Sequence, residues 1–199
     1  MKSNVCKIEK GNRDLAAILK ESEKVAVYNE LNHKQTLQLR LICEEIDGML
    51  PNILGDFEGD FWIEYENGVC KVMVSVEYSE FTAEKKKELV SVAKNKKNAA
   101  AVGIVGKIRS VIENVFLDEE IARACGASSS VFQMATGYSE GIDYSYVWSL
   151  NHYRSTVKPE EKPAEWDELE KSVIAAVADD VIVGVKGKKA DVIIIKKFA

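Results

Sequence analysis

Apolar positions recur every three or four residues from Leu39 to Ile53, where Leu39, Ile42, Ile46, Met49, Leu50 and Ile53 fall into one stripe. That period predicts an α-helix packed on a core. Asn32 is placed to cap its start, and Pro51 ends or kinks it. Leu37, Leu41, Glu44 and Gly48 stack on a second face, because residues four apart share one side of a helix. The helix therefore offers a carboxylate in partly apolar company, opposite a core stripe.

Strict alternation takes over after it. Phe61, Ile63 and Tyr65 point one way, and Val72, Val74 and Val76 do the same beyond Asn67-Gly68. Asn-Gly between two alternating runs is a strong hairpin signal. Elsewhere the pattern predicts a short helix over residues 11–24 capped by Asn12, then a first strand over 25–31. A helix over 83–93 follows Thr82, then a basic loop with Lys94, Lys96 and Lys97. The next helix runs to Phe116 on Val105, Ile108, Ile112 and Val115, with Gly103 and Gly106 near its start. Residues 118–142 are irregular. Residues 143–153 alternate with Tyr144, Tyr146, Trp148 and Leu150 on one face, a face suited to core packing. A proline-bearing charged linker covers 158–163, and an amphipathic helix over 164–178 uses Trp166, Leu169, Val173 and Val177. Strands over 181–186 and 190–198, turned at Gly187, close the chain. The apolar run Val192 to Ile195 has to be paired or covered.

Sequence-adjacent strands and helices in blocks predict an α+β fold. The expected form is a two-layer α/β sandwich, with helices on one face of a mixed, largely antiparallel sheet. Residues 1–157 form the main domain, with its core in 25–117. Residues 164–199 either complete the sheet or add a small unit to it.

Composition narrows the class. The chain has 199 residues, 46% hydrophobic and 30% charged, as in globular proteins. Its net charge of −5 gives no electrostatic case for nucleic acid as a partner. No stretch approaches the roughly 18 apolar residues of a membrane span, so the reading is a cytoplasmic protein. Cys6, Cys43, Cys70 and Cys125 are scattered, and only His33 and His152 could join them. That spacing matches no zinc site and reads as buried or half-buried thiols.

No hydrolytic, P-loop or dinucleotide motif is complete. Glu44 and Glu45 are adjacent, so a helix points them about 100° apart and they cannot face each other across a substrate. Glu44 alone could act as a general base if an apolar pocket raised its pKa.

The order strand, glutamate-bearing helix, hairpin, charged helix and glycine-containing helix resembles the histidine-kinase-like (GHKL) ATPase fold, in particular the anti-sigma-factor serine kinases. The resemblance spans residues 25–116. It implies ATP with Mg²⁺ as cofactor and a protein partner, sigma-factor-like or another signalling protein. Glu44 then stands at the water-orienting glutamate. Gly48 stands where the family has a Mg²⁺-binding asparagine. Glu77, at the end of the second hairpin strand, is nearest to the adenine-reading aspartate, and the Gly-x-Gly that should follow is missing. Gly103, Gly106 and Lys107 resemble the last glycine box, whose helix start would hold phosphate, with Lys96 and Lys97 also in reach. The alternative is a structural or interaction module that binds no nucleotide and associates with itself as a homodimer.

Overall fold

The computed structural model describes residues 1–54, 56–78, 104, 106–108, 111–112, 146–156 and 172–198. Along these the chain forms β1 (Cys6–Glu9), β2 (Asn12–Arg13), α1 (Leu15–Tyr28), α2 (His33–Ile53), β3 (Phe57–Glu66) and β4 (Val69–Tyr78). The later elements are β5 (Tyr146–Ser149), α3 (Leu150–Thr156), α4 (Val173–Val177), β6 (Asp180–Lys186) and β7 (Lys189–Lys197). The fold is α+β.

The Asn67-Gly68 turn does what its sequence predicts. Both residues take positive φ, 50° and 79°, as a two-residue hairpin turn needs if it is to match the strand twist. It sets a ladder of ten pairs from Phe57–Tyr78 to Glu66–Val69. Phe61 lies opposite Val74 and Ile63 opposite Val72, and all four are buried. The closing hairpin turns at Gly187, φ 56°, and pairs β6 with β7. β7 then lies against β4 along nine pairs, so the C-terminal hairpin completes the main sheet. The apolar run Val192–Ile195 is thereby paired on both edges.

Among the described residues the sheet has seven strands in the order β2-β1-β3-β4-β7-β6-β5. Every pairing is antiparallel, where a mixed sheet was expected. The two halves mirror each other. An outer strand, then helices, then a hairpin build β1-β3-β4 on one side and β5-β6-β7 on the other.

One side of this sheet carries the main core. All six residues of the α2 stripe are buried there, with Ile18 and Val25 of α1, the helical residues Ile104, Ile108 and Ile112, and Ile174 of α4. The other side has a smaller apolar cluster of its own, Met73, Val147, Ile182, Ile193 and Ile195. These are the alternate residues of the same strands, so the central strands are apolar on both faces.

Three expectations need correction. Residues 25–31 are not a strand, since α1 runs to Tyr28 and a turn follows. Strand alternation would put Val25 and Val27 on one face, but Val25 is fully buried and Val27 is 79% exposed. Ile18, Ser22, Val25 and Ala26 instead make a helical stripe. The first strand lies upstream at Cys6–Glu9, too short for its alternation to stand out. Asn12 belongs to β2, and the N-cap of α1 is Asp14, whose side chain accepts from the Ala17 N–H at 3.0 Å. Finally, the strand expected over 143–153 stops at Ser149 and α3 begins at Leu150. The expected cap of α2 is present as a full capping box between Asn32 and Gln35. The helix expected over 83–93, the basic loop and the irregular stretch 118–142 lie outside the described residues.

Glu21 fastens the chain's first residues to α1. It is buried, and it accepts from the Asn4 N–H at 3.0 Å and the Asn4 side-chain amide at 3.2 Å while pairing with Lys24. Burial opposes its ionisation, but Lys24 and the two Asn4 donors outweigh that and hold the carboxyl below its ordinary value. A depressed folded-state carboxyl contributes stability above the unfolded pKa and loses it as pH falls through the folded one. The urea midpoint should therefore drop on acidification more steeply in the wild type than in Glu21→Gln, read from melts at a series of acidic pH values.

Gly59, on β3, is a close-approach glycine. A Cβ there would lie 2.2 Å from the Ser75 carbonyl oxygen and 2.8 Å from Val76 Cα, both backbone atoms. Gly59→Ala should cost about 1–3 kcal/mol through forced overpacking, measured by chemical denaturation.

Candidate functional site

The register of β4 decides where its polar residues can act. Val72, Val74 and Val76 point into the main core with α1 and α2. Successive side chains alternate across a sheet, so Lys71, Met73, Ser75 and Glu77 point to the other side. Cross-strand pairing puts Glu58, Asp60, Trp62 and Glu64 of β3 on that second side too.

This second side is polar at both ends and apolar between them. Toward the β1–β3–β4 end a groove of about 580 Å³ is lined by Glu9, Glu58, Asp60, Ser75, Glu77 and Lys189. Lys7 pairs with Asp60 at 2.6 Å beside it. At the opposite end a groove of about 860 Å³ is lined by residues that include Lys2, Glu64, Lys71, Asp179 and Lys197. Lys2 pairs with Glu64 at 3.3 Å and lies 4.7 Å over the Trp62 ring, and the Trp62 Nε1–H donates to Glu64 at 2.8 Å. Both grooves present fixed charges of both signs, which is chemistry for recognising a charged partner.

The sequence-predicted site residues do not converge on either groove. Glu44 is half-buried on α2 and accepts from Arg40 Nε at 2.9 Å, and Arg40 also reaches Glu23 at 3.7 Å. Gly48 is exposed, with no atom within 4 Å of the place a Cβ would occupy. Glu77 is exposed on the far side of the sheet from α2. Gly106 is helical and buried. Lys107 is half-buried, with Nζ 4.6 Å over the Tyr153 ring of α3, and that ring packs on Trp148. Gly103, Lys96 and Lys97 lie outside the described residues. Among the described residues no hydrogen bond or ion pair links Glu44, Glu77 and Lys107.

Two polar features escaped the sequence reading. Asp47 is a buried acid one turn beyond Glu44 on α2; its place beside Ile46 in the stripe was the available signal. Ser149 and Asp180 are both buried, and the Ser149 hydroxyl donates to the Asp180 carboxylate at 3.1 Å. A serine on a carboxylate invites a catalytic reading, but its contacts describe a helix cap. Ser149 Oγ accepts from the His152 N–H at 3.2 Å, and Asp180 accepts from the Asn151 N–H at 3.0 Å. Together they satisfy the orphan amides at the start of α3.

Cys43 and Cys70 are buried and Cys6 half-buried, as expected, and Cys125 lies outside the described residues. Burial pushes Cys70 up to about 12 and raises Cys43 well above its ordinary value, so neither ionises near neutral pH. Cys6 is half-buried and also raised, by burial and then by the charges of Glu21 and Asp14. Among the described residues no group of histidine, cysteine and acidic side chains has the arrangement of a metal site.

No protein-family model, curated protein or solved structure matches this chain.

The open surroundings of Gly48 give a direct test. A glycine inside an exposed helix face costs about 1 kcal/mol relative to alanine. Gly48→Ala should therefore raise stability by roughly 0.5–1 kcal/mol, measured as a higher denaturation midpoint. A loss instead would mean that the position needs close backbone approach.

Proposed function

We propose that this chain is a regulatory protein on the histidine-kinase-like ATPase plan that works by binding a protein partner rather than by transferring phosphate. The order of β1, α1, the glutamate-bearing α2 and the β3–β4 hairpin supports the plan, with the first strand upstream of where the sequence suggested it.

One observation carries the choice of association over catalysis: the β4 register puts Glu77 and α2 on opposite sides of the sheet. A pocket that read adenine through Glu77 and positioned water through Glu44 would need both on one side. Two further features point the same way. Gly48 has no side chain to bind Mg²⁺, an ion held through few protein ligands, so that the loss of one matters. Glu44 is engaged by Arg40 at 2.9 Å, so its carboxylate already has a partner. These residues do not fit ATP with Mg²⁺.

Tyr78 replaces chemistry with structure at the same strand end. Its hydroxyl donates to the Gly187 carbonyl at 3.1 Å and its N–H to the Lys188 carbonyl at 3.0 Å. It fastens β4 to the turn of the closing hairpin, and burial raises its phenol well above the ordinary value. Free thiols at Cys6, Cys43 and Cys70 suit a reducing compartment, and the cytoplasm is the compartment we propose. No helix of the described residues is long and apolar enough to cross a membrane.

Thermal melts with millimolar ATP and Mg²⁺ test the reading. The expected Tm is unchanged in the wild type and in Lys107→Ala alike. A Tm that climbs with ATP in the wild type, and climbs less in Lys107→Ala, would overturn it in favour of a working nucleotide pocket.

A further inference from the structure

Five charged residues stand side by side across the second face of the sheet. The register sets Glu9 opposite Glu58, Glu58 opposite Glu77, Glu77 opposite Lys189 and Lys189 opposite Lys186. Adjacent strands lie about 4.8 Å apart, so this is one continuous row of three carboxylates followed by two ammonium groups. Lys189 is half-buried and the other four are exposed. Glu9, Glu58, Glu77 and Lys189 line the same groove of about 580 Å³.

The row is poorly satisfied within one chain. Like charges directly opposite on neighbouring strands are destabilising, and here two such contacts follow one another. Among the described residues neither Glu58 nor Glu77 has an ion pair, although Lys189 is next to Glu77 in the row. Lys189 reaches Asp191 instead, at 3.9 Å, and Glu9 accepts from the neutral Asn12 side-chain amide at 2.8 Å.

We infer that this row is a contact surface for a second copy of the same chain. The row is its own complement. Read forward it is three negative charges and two positive, and read backward it meets itself with opposite signs at four of five positions. A twofold axis along β4, above Glu77, sets Glu9 against Lys186 of the second copy and Glu58 against its Lys189. Both contacts then repeat by symmetry, as an isologous interface requires, and only Glu77 meets its own equivalent. Lysine stems are long enough to carry their ammonium groups into a facing groove. A different protein would have to bring the reverse charge order, whereas a second copy already has it. Such contacts set register and encounter rate more than affinity, and exposed charge pairs are screened by salt.

Sedimentation velocity of the full chain, over a range of concentrations and ionic strengths, tests the interface. The expected result is a dimer at low salt that dissociates as salt is added. Glu58→Lys and Lys189→Glu each set like charges together twice, so each should leave a monomer. The two combined restore the complementary order, and the dimer should return. Circular dichroism melts establish that each variant is folded; if a single exchange fails to fold, the double exchange and the wild-type salt series decide. A wild type that is monomeric at every concentration in low salt overturns the inference, and a basic partner as the natural occupant would give that result. A dimer indifferent to both single exchanges, or a folded double exchange that stays monomeric, overturns it as well.

Discussion

The β4–β7 ladder is the contact on which the rest of the structure depends. It joins a hairpin from the first half of the chain to the hairpin that ends it, along nine consecutive pairs. Without it there are a four-stranded half and a three-stranded half, each with an apolar edge open to solvent. With it, both strands have neighbours on each side and apolar residues on both faces. Val72, Val74, Val192 and Ile194 meet the helices, while Met73, Ile193 and Ile195 face the other way. A strand in that position tolerates few polar side chains, and for this reason β7 reads as the nearly unbroken run Val192 to Ile195.

That central burial pushes the chemistry to the margins. On the helix side of the sheet, polar side chains act as fasteners: Glu21 holds Asn4, and Asn32 with Gln35 closes the start of α2. From the second side of the sheet, where they stand opposite Ile195 and Ile182, Asp180 and Ser149 do the same for α3. Charged side chains also collect on the opposite side, at the strand ends, where they line two grooves. Fasteners thus lie on both sides of the sheet, and the second side adds charged grooves at the strand ends.

The long, strongly periodic elements were legible from sequence. Six apolar residues of α2 at helical spacing all proved buried, and Asn67-Gly68 marked its hairpin because few residue pairs accept positive φ at both positions. Short or ambiguous segments were not. Val25-Ala26-Val27-Tyr28 has β-branched and aromatic residues that suit a strand, yet it continues a helix whose stripe began at Ile18. Cys6–Glu9 spans four residues, too few to show alternation against a charged background. A strand does form over Tyr146–Ser149, but a capped helix starts at Leu150. Only the buried Asp180, distant in sequence, completes that cap.

The candidate site shows the same limit. Sequence could name Glu44, Gly48 and Glu77 and give their spacing along each element. It could not give the side of the sheet on which each would lie, because a shift of one residue in a strand reverses the side. Sequence by itself determined the α+β class, the buried stripe of α2, both hairpins and the burial of Cys43 and Cys70. These follow from periodicity, turn chemistry and the cost of exposing apolar surface. Tertiary structure alone decided that β7 joins β4, that Glu77 turns away from α2, and that five charges align in one row. Each depends on pairing between strands far apart in the chain, and local pattern does not encode it.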